Sequence, residues 1–399
     1  MTALALPARD VARSAARPDA RTRWRMSPEA RALVFVSGCI LIFGLAVLYS
    51  ASAILALNEG RGSAYYLLKQ LTGVAVGAIA FAIAAKVDAD QWREWAWPLM
   101  WITLFALLLV LVLPNSIAPR INGSKRFLWG PSLQPSELGK FAVVVWTAML
   151  VVRKGDQLRR FSRGLLPFLV VLGALCVLVA AEPDLSVAML YALLMAIVLF
   201  AGGVRIAHFV LIGALALPWL WVQIERVQYA VLRLVSFLDP GSSPTAGWQL
   251  KQSLMAVGSG GLFGVGFGEG RQQYGFLPYP YSDFIASNVG EEWGFLGLLM
   301  LTLAFGAYAL FGFRIARQAR TPFLRLVAVG LTFTTVLTAY VHIGVVVGLL
   351  PTTGLTLPFV SYGRSNLVLT MMLTGVLVNI GSTRERVLGS AATDPFTRT

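Results

Sequence analysis

Ten stretches of this chain, each close to the length of a bilayer crossing, are almost wholly apolar, and no other feature restricts its fold as much. A helix needs about 20 residues to cross the hydrocarbon core. Hydrocarbon satisfies no backbone polar group, so such stretches must become helices packed on one another. They fall at about 31–57, 66–85, 95–113, 136–152, 165–181, 185–203, 207–225, 284–313, 323–350 and 359–381. Charged residues make up only 13% of the chain, against roughly 25% in a soluble domain, too few to cover a globule in water. The expected fold is an all-α polytopic membrane protein of about ten transmembrane helices. A large structured extracytoplasmic loop, 226–283, separates spans 7 and 8. His208 and His342 lie far apart, and Cys39 and Cys176 sit inside apolar runs. Zinc chemistry and a disulfide framework are therefore excluded as organising features.

Basic residues orient the spans. With the N-terminus inside, 22 of the 33 Lys and Arg residues fall in cytoplasmic segments, while the 19 acidic residues divide almost evenly. Both termini are therefore expected in the cytoplasm, and the net charge of +14 is a consequence of topology that calls for no nucleic acid. Residues 1–30 lack the apolar core of a secretory signal and read as a disordered basic tail. The membrane domain spans 31–383, and 384–399 form a short cytoplasmic tail.

With no soluble domain, chemistry must reside in the bilayer or at its outer face. Ionisable residues at membrane depth are candidates by default, and each has a structural alternative. Glu137 and Lys140, three apart on one helix, can neutralise each other or bind an anion. Asp184, following Glu182 and Pro183, can cap a helix. Asp283, at the head of a span after a Gly-, Tyr- and Pro-rich loop, can cap that helix or act as a general base. Asn288 and Glu292 share a face and suit a structural polar network, with Glu291 beside them. The run GSGGLFGVGFGEG lacks the βαβ surroundings of a nucleotide fingerprint; it suits close helix packing or a re-entrant element. Arg61, Arg120, Lys125, Arg126, Arg271 and Arg364 face outward against the charge trend, as a pyrophosphate site requires and as snorkelling residues also do.

Longer strings carry a resemblance. LYSASA, INGSKRFLWGPSLQPSELGK, EPDLSVAML, SFLDP…GWQLKQSLMAVGSGGLFGVGFG, SDFIASNVGEEWGFLG and LLPTTGLTLPFVSYGRSN together cover about 35–382. The chain resembles the SEDS family (shape, elongation, division and sporulation) of bacterial cell-wall glycosyltransferases, and its division branch more than its rod-shape branch. The resemblance implies an enzyme that polymerises lipid II into glycan strands at the outer face of the cytoplasmic membrane, for septal wall synthesis. It implies a class B penicillin-binding protein transpeptidase and other divisome proteins as partners, with membrane lipid around the chain. It places the essential aspartate at Asp283, within Ser282-Asp283-Phe284. It places the QPSE motif at Gln134, Pro135, Ser136 and Glu137, and the SYG motif at Ser361, Tyr362 and Gly363. Substrate contacts are expected from Lys125, Arg126, Glu137, Lys140, Gln273, Ser361 and Tyr362. A divalent cation, Mg or Mn, would assist the diphosphate leaving group, and no nucleotide cofactor is needed. Departures from the family's usual residues are Phe127, Arg364, Asn366, the PYPYS before Asp283, and Glu182 in place of Gln. A lipid flippase and a non-catalytic division scaffold are the rival functions.

The topology is testable with single thiols in a background lacking Cys39 and Cys176. A thiol at Ser242 should react with an impermeant reagent added outside, and one at Ser162 should be spared. The reverse pattern inverts the orientation.

Overall fold

The computed structural model describes residues 21–121, 124–130, 133–159, 164–210, 214, 228–239 and 246–387. It is helical almost throughout. Among the described residues six helices are long and apolar enough to cross a membrane: α1 (Pro28–Asn58), α2 (Tyr65–Lys86), α3 (Gln91–Val112), α4 (Pro135–Lys154, prolonged by a 3-10 turn), α10 (Gly294–Gln318) and α11 (Pro322–Val346). Three shorter apolar helices accompany them: α5 (Leu166–Ala181), α6 (Leu185–Ala201) and α12 (Arg364–Ile380). The expected span 207–225 lies mostly outside the described residues. Within 226–283 lie α7 (Gln228–Leu238) and α8 (Ala246–Ser259), and α9 (Ile285–Glu292) follows.

Local sequence sets the helix ends. Ser27 Oγ accepts from Ala30 N ahead of Pro28 in α1, and Thr321 Oγ1 accepts from Leu324 N ahead of Pro322 in α11. Both use a hydroxyl cap followed by a proline whose missing N–H is no loss there. The centre of the bundle is α4, whose Phe141, Trp146 and Ala148 are fully enclosed. Phe35, Ile42, Trp101 and Phe105 point outward, each more than 60% exposed, which suits helices solvated by lipid.

Small residues let helices approach. A Cβ on Gly375 of α12 would lie 2.5 Å from Phe81 O of α2, and one on Gly77 would lie 2.5 Å from Met371 Sδ. Without a hydrophobic force between helices in lipid, such close backbone packing supplies the attraction.

Two expected spans are interrupted. The stretch 284–313 breaks between α9 and α10 at Trp293 and Gly294, where Gly294 takes φ +65. The glycine run docks into this break: Val265 N donates to Glu291 O and Gly266 N to Glu292 O, at 3.0 and 3.2 Å. A Cβ on Gly264 would lie 2.1 Å from Glu292 O, so the glycines serve packing at this contact. The stretch 359–381 becomes helical only at Arg364, after a non-helical segment from Pro351. Apolar character predicts both interruptions to be helix; tertiary hydrogen bonds override it.

Residues Arg21–Met26, read from sequence as the end of a tail, form β1 and pair antiparallel with β4 (Ser382–Val387). A second ribbon pairs β2 (Arg120–Ile121) with β3 (Ser124–Lys125). The β1–β4 ribbon brings both described ends of the chain to one side of the bundle.

Gly375→Val should lower the thermal midpoint in detergent, because Phe81 O is backbone and cannot yield. Overpacking of this kind typically costs about 1–3 kcal/mol. Gly173→Ala is the control: open space surrounds that position, and its midpoint should not fall.

Candidate functional site

Asp283 stands between the 272–281 segment and α9, and hydrogen bonds fix the backbone around it. Ser361 Oγ donates to Ser282 O at 2.6 Å, while accepting from Leu357 N at 2.8 Å. Tyr362 N donates to Tyr281 O at 2.9 Å. Asn288 Nδ2 reaches back to Pro280 O at 2.8 Å. The rings of Tyr66, Tyr281 and Tyr362 meet pairwise at 5.0–5.7 Å. Phe284 is 3% exposed and anchors the far side. Ser361 and Tyr362, expected to touch substrate, thus hold the residues immediately before Asp283.

No side-chain cap heads α9, so the capping role open to Asp283 is not used. The carboxylate instead lines a small cavity with Arg233 of α7, Gln249 of α8, His342 of α11 and the Thr352–Leu355 segment. Burial pushes Asp283 up to about 6, with the Arg233 guanidinium and a hydrogen bond to Ser282 opposing the rise. Arg233 Nη1 donates to Thr352 O at 3.1 Å. A Cβ on Gly354 would sit 3.7 Å from Asp283 Oδ2 and 4.0 Å from Arg233 Nη2, so glycine there leaves room between acid and base. Sequence reading missed both Arg233 and His342. The one signal for Arg233 was a basic residue on an outward amphipathic helix; His342 gave none.

The other expected contacts are engaged with protein. Lys125 Nζ donates to Leu111 O at 3.2 Å and to Leu113 O, capping the C-terminal carbonyls of α3. Arg126 holds the 182–184 turn: Nε donates to Glu182 O at 3.2 Å, Nη2 to Pro183 O, and Nη1 pairs with Asp184 Oδ2 at 3.3 Å. Asp184 also caps α6 through Val187 N. Glu137 and Lys140 form a buried ion pair at 2.7 and 2.8 Å. Gln273 donates to Gly268 O at 3.1 Å, and Ser50 Oγ beside it donates to Glu292 Oε1. Glu291 accepts from Arg271 N and Gln272 N. Among the described residues no three His, Cys, Asp or Glu side chains converge as an all-protein metal site would need; a Mg ion held largely by substrate phosphates needs only one or two carboxylates.

Glu182 is fully buried, and neither carboxylate oxygen has a hydrogen-bond partner. Burial, then the neighbouring Asp184, push it up to about 8, against the pull of Arg126. A protonated Glu is close in shape and charge to Gln, the residue the resemblance places there.

The family model for FtsW/RodA/SpoVE, described as cell cycle protein, matches residues 30–386. A probable peptidoglycan glycosyltransferase FtsW of Trichlorobacter lovleyi is 37% identical over 91% of this chain and 95% of its own. Stage V sporulation protein E of Bacillus subtilis is 37% identical over 87% of this chain and 95% of its own. A solved structure concerned with coordination of polymerization and crosslinking by a peptidoglycan synthase complex superposes with TM-score 0.71 at 26% identity, covering 88% of this chain and 96% of that one. A crystal structure of the rod shape determining protein RodA of Thermus thermophilus gives TM-score 0.63 at 25% identity, covering 88% and 95%.

Two predictions follow from the charges. Glu182 binds its proton more tightly in the folded chain than at its ordinary value of 4.5, so stability is full below that value and declines as pH rises toward 8. Glu182→Gln removes the decline: its thermal midpoint should exceed wild type at pH 8–9 and converge with it near pH 5. For the Glu137–Lys140 pair, removing one partner leaves a buried charge, at a typical cost of about 3–5 kcal/mol. Lys140→Met should therefore unfold at lower temperature than the double variant Glu137→Gln, Lys140→Met; equal midpoints would contradict the pairing.

Proposed function

The chain belongs to the FtsW/RodA/SpoVE family, and from that premise we propose that it is a peptidoglycan glycosyltransferase polymerising lipid II at the outer face of the cytoplasmic membrane. The observation that carries the chemistry is Asp283: a half-buried carboxylate beside a guanidinium, excluded from capping, with a raised pKa and a rigid backbone. A sugar hydroxyl is a poor nucleophile until a base accepts its proton. A carboxylate near 6 is mostly ionised at neutral pH yet basic enough to assist, which is the compromise a general base requires.

The step transfers a glycosyl group from an undecaprenyl diphosphate to the acceptor hydroxyl. The bond from the anomeric carbon to the diphosphate oxygen breaks as the new glycosidic bond forms, and Asp283 takes the hydroxyl proton. Negative charge grows on the departing diphosphate, and donors placed for it in advance lower the barrier. Arg233 suits that role because it lines the Asp283 cavity, whereas Lys125 and Arg126 hold the end of α3 and the 182–184 turn. A divalent cation would add positive charge at the diphosphate; no step here depends on it. The polyprenyl tail needs only a groove between helices.

Ten spans with cytoplasmic termini remain part of this reading. The pairing of β1 with β4 supports it, since ends on one side require an even number of crossings. Relatives named FtsW support a septal role. The synthase-complex neighbour supports a class B penicillin-binding protein transpeptidase as partner, with other divisome proteins around it. Purified protein given labelled lipid II discriminates among the candidates: strands for the polymerase, translocation for a flippase, neither for a scaffold.

Asp283→Asn keeps the side chain's size and removes the base. Strand synthesis should fall by about 10²–10⁴-fold with the thermal midpoint unchanged. In wild type, activity should rise with pH through about 6 and level off above, because the base works deprotonated. A folded Asn variant keeping more than about a tenth of wild-type activity would remove Asp283 from the mechanism, given that expected loss.

A further inference from the structure

Two buried polar atoms in the wall of the Asp283 cavity have no hydrogen-bond partner in the protein: Nε2 of His342 and Oγ1 of Thr352. Both residues are more than nine-tenths buried, at 1% and 8% exposed. Leaving a buried polar atom unpaired typically costs about 1–3 kcal/mol, so two in one small cavity call for an explanation.

The ring of His342 is held in a definite role. Its Nδ1 lies 2.8 Å from Leu355 O, a carbonyl that can only accept, so Nδ1 carries the proton. In the neutral ring, Nε2 is then an acceptor. Thr352 Oγ1 can donate or accept, and its own carbonyl takes the hydrogen bond from Arg233. Acceptor and hydroxyl therefore share the cavity with the carboxylate and the guanidinium, around a space that holds about one water or one hydroxyl group.

We propose that His342 and Thr352 form a hydroxyl-recognition subsite for the acceptor sugar. Nε2 accepts from a hydroxyl neighbouring the one deprotonated by Asp283, and Thr352 Oγ1 bonds the same sugar. These are positioning residues that touch no reacting bond. Their hydrogen bonds turn the acceptor so that the reactive hydroxyl faces the carboxylate. The inference rests on the glycosyltransferase reading and deepens it by assigning a role to the wall opposite Asp283.

Thr352→Val is the cleanest variant. It is nearly isosteric and removes an unpaired buried hydroxyl, so the fold should be as stable as wild type or more so. The Michaelis constant for lipid II should rise roughly three- to tenfold, the worth of one neutral hydrogen bond, and kcat should fall as the acceptor loses its alignment. Thr352→Ser should restore it. His342→Asn can still donate toward Leu355 O but ends short of Nε2, and should show the same rise; His342→Gln, whose amide reaches further, should recover part of it. Wild-type kinetics in both Thr352→Val and His342→Asn overturn the subsite, as does a loss of activity that merely follows a fall in thermal midpoint. In either case an inactive Asp283→Asn leaves the glycosyltransferase reading standing. A wild-type protein that makes no strands overturns that reading, and the subsite with it.

Discussion

The constraint on which this structure depends is that hydrocarbon offers no partner to a backbone N–H or C=O. Unbroken helix is the cheap solution, so each interruption at membrane depth must find its hydrogen bonds within the protein. The chain interrupts itself twice among the described residues: the segment before α12 adjoins Asp283, and the α9–α10 break lies at the other end of the short helix that Asp283 precedes. At the α9–α10 break, Val265 N and Gly266 N satisfy the carbonyls of Glu291 and Glu292. In the segment before α12, Ser361 Oγ and Tyr362 N engage the carbonyls of Ser282 and Tyr281. The bonds that make the second break tolerable are also those that hold the backbone beside the carboxylate still, so there a requirement of folding becomes a device of catalysis.

Charge follows the same logic. Outward cations looked from sequence like a reservoir for an anionic leaving group, yet Lys125 and Arg126 are taken up with carbonyls and Asp184. A helix end or a tight turn at the membrane boundary exposes carbonyls that water cannot fully reach, and a nearby ammonium or guanidinium satisfies them. Arg233 also bonds a carbonyl, that of Thr352, but its partner belongs to the wall of the Asp283 cavity. Its structural bond leaves it facing the chemistry.

The spans were legible because an apolar run of bilayer length has few alternatives. Asp283 was legible because an acid after a Gly- and Tyr-rich loop stands out in an apolar chain, and because the strings around it resemble a known family. The breaks were not legible, since Trp293-Gly294 and residues 359–363 fall inside runs whose apolar content reads as continuous span. What breaks them is contact with glycines about thirty residues earlier and with a loop about eighty residues earlier, which no local pattern records. His342 escaped notice for the same reason: on α11 it is one of several polar residues, and only the fold brings Leu355 to its Nδ1 and Asp283 to its cavity.

Glu182 shows how a departure in sequence can leave the physics intact. An ionised Glu in that turn would bury a second negative charge beside Asp184, with Arg126 as the cation shared between them. Burial and Asp184 together keep the proton on Glu182 at neutral pH, so the turn carries one carboxylate and one guanidinium. That balance matters at the site, because Arg126 and Asp184 both act on Asp283 through space, one lowering and the other raising its pKa. A second negative charge in the turn would push Asp283 further up and lower the fraction of it that is deprotonated near neutral pH. The buried neutral acid thus preserves the field in which Asp283 works, although the side chain that carries it has changed.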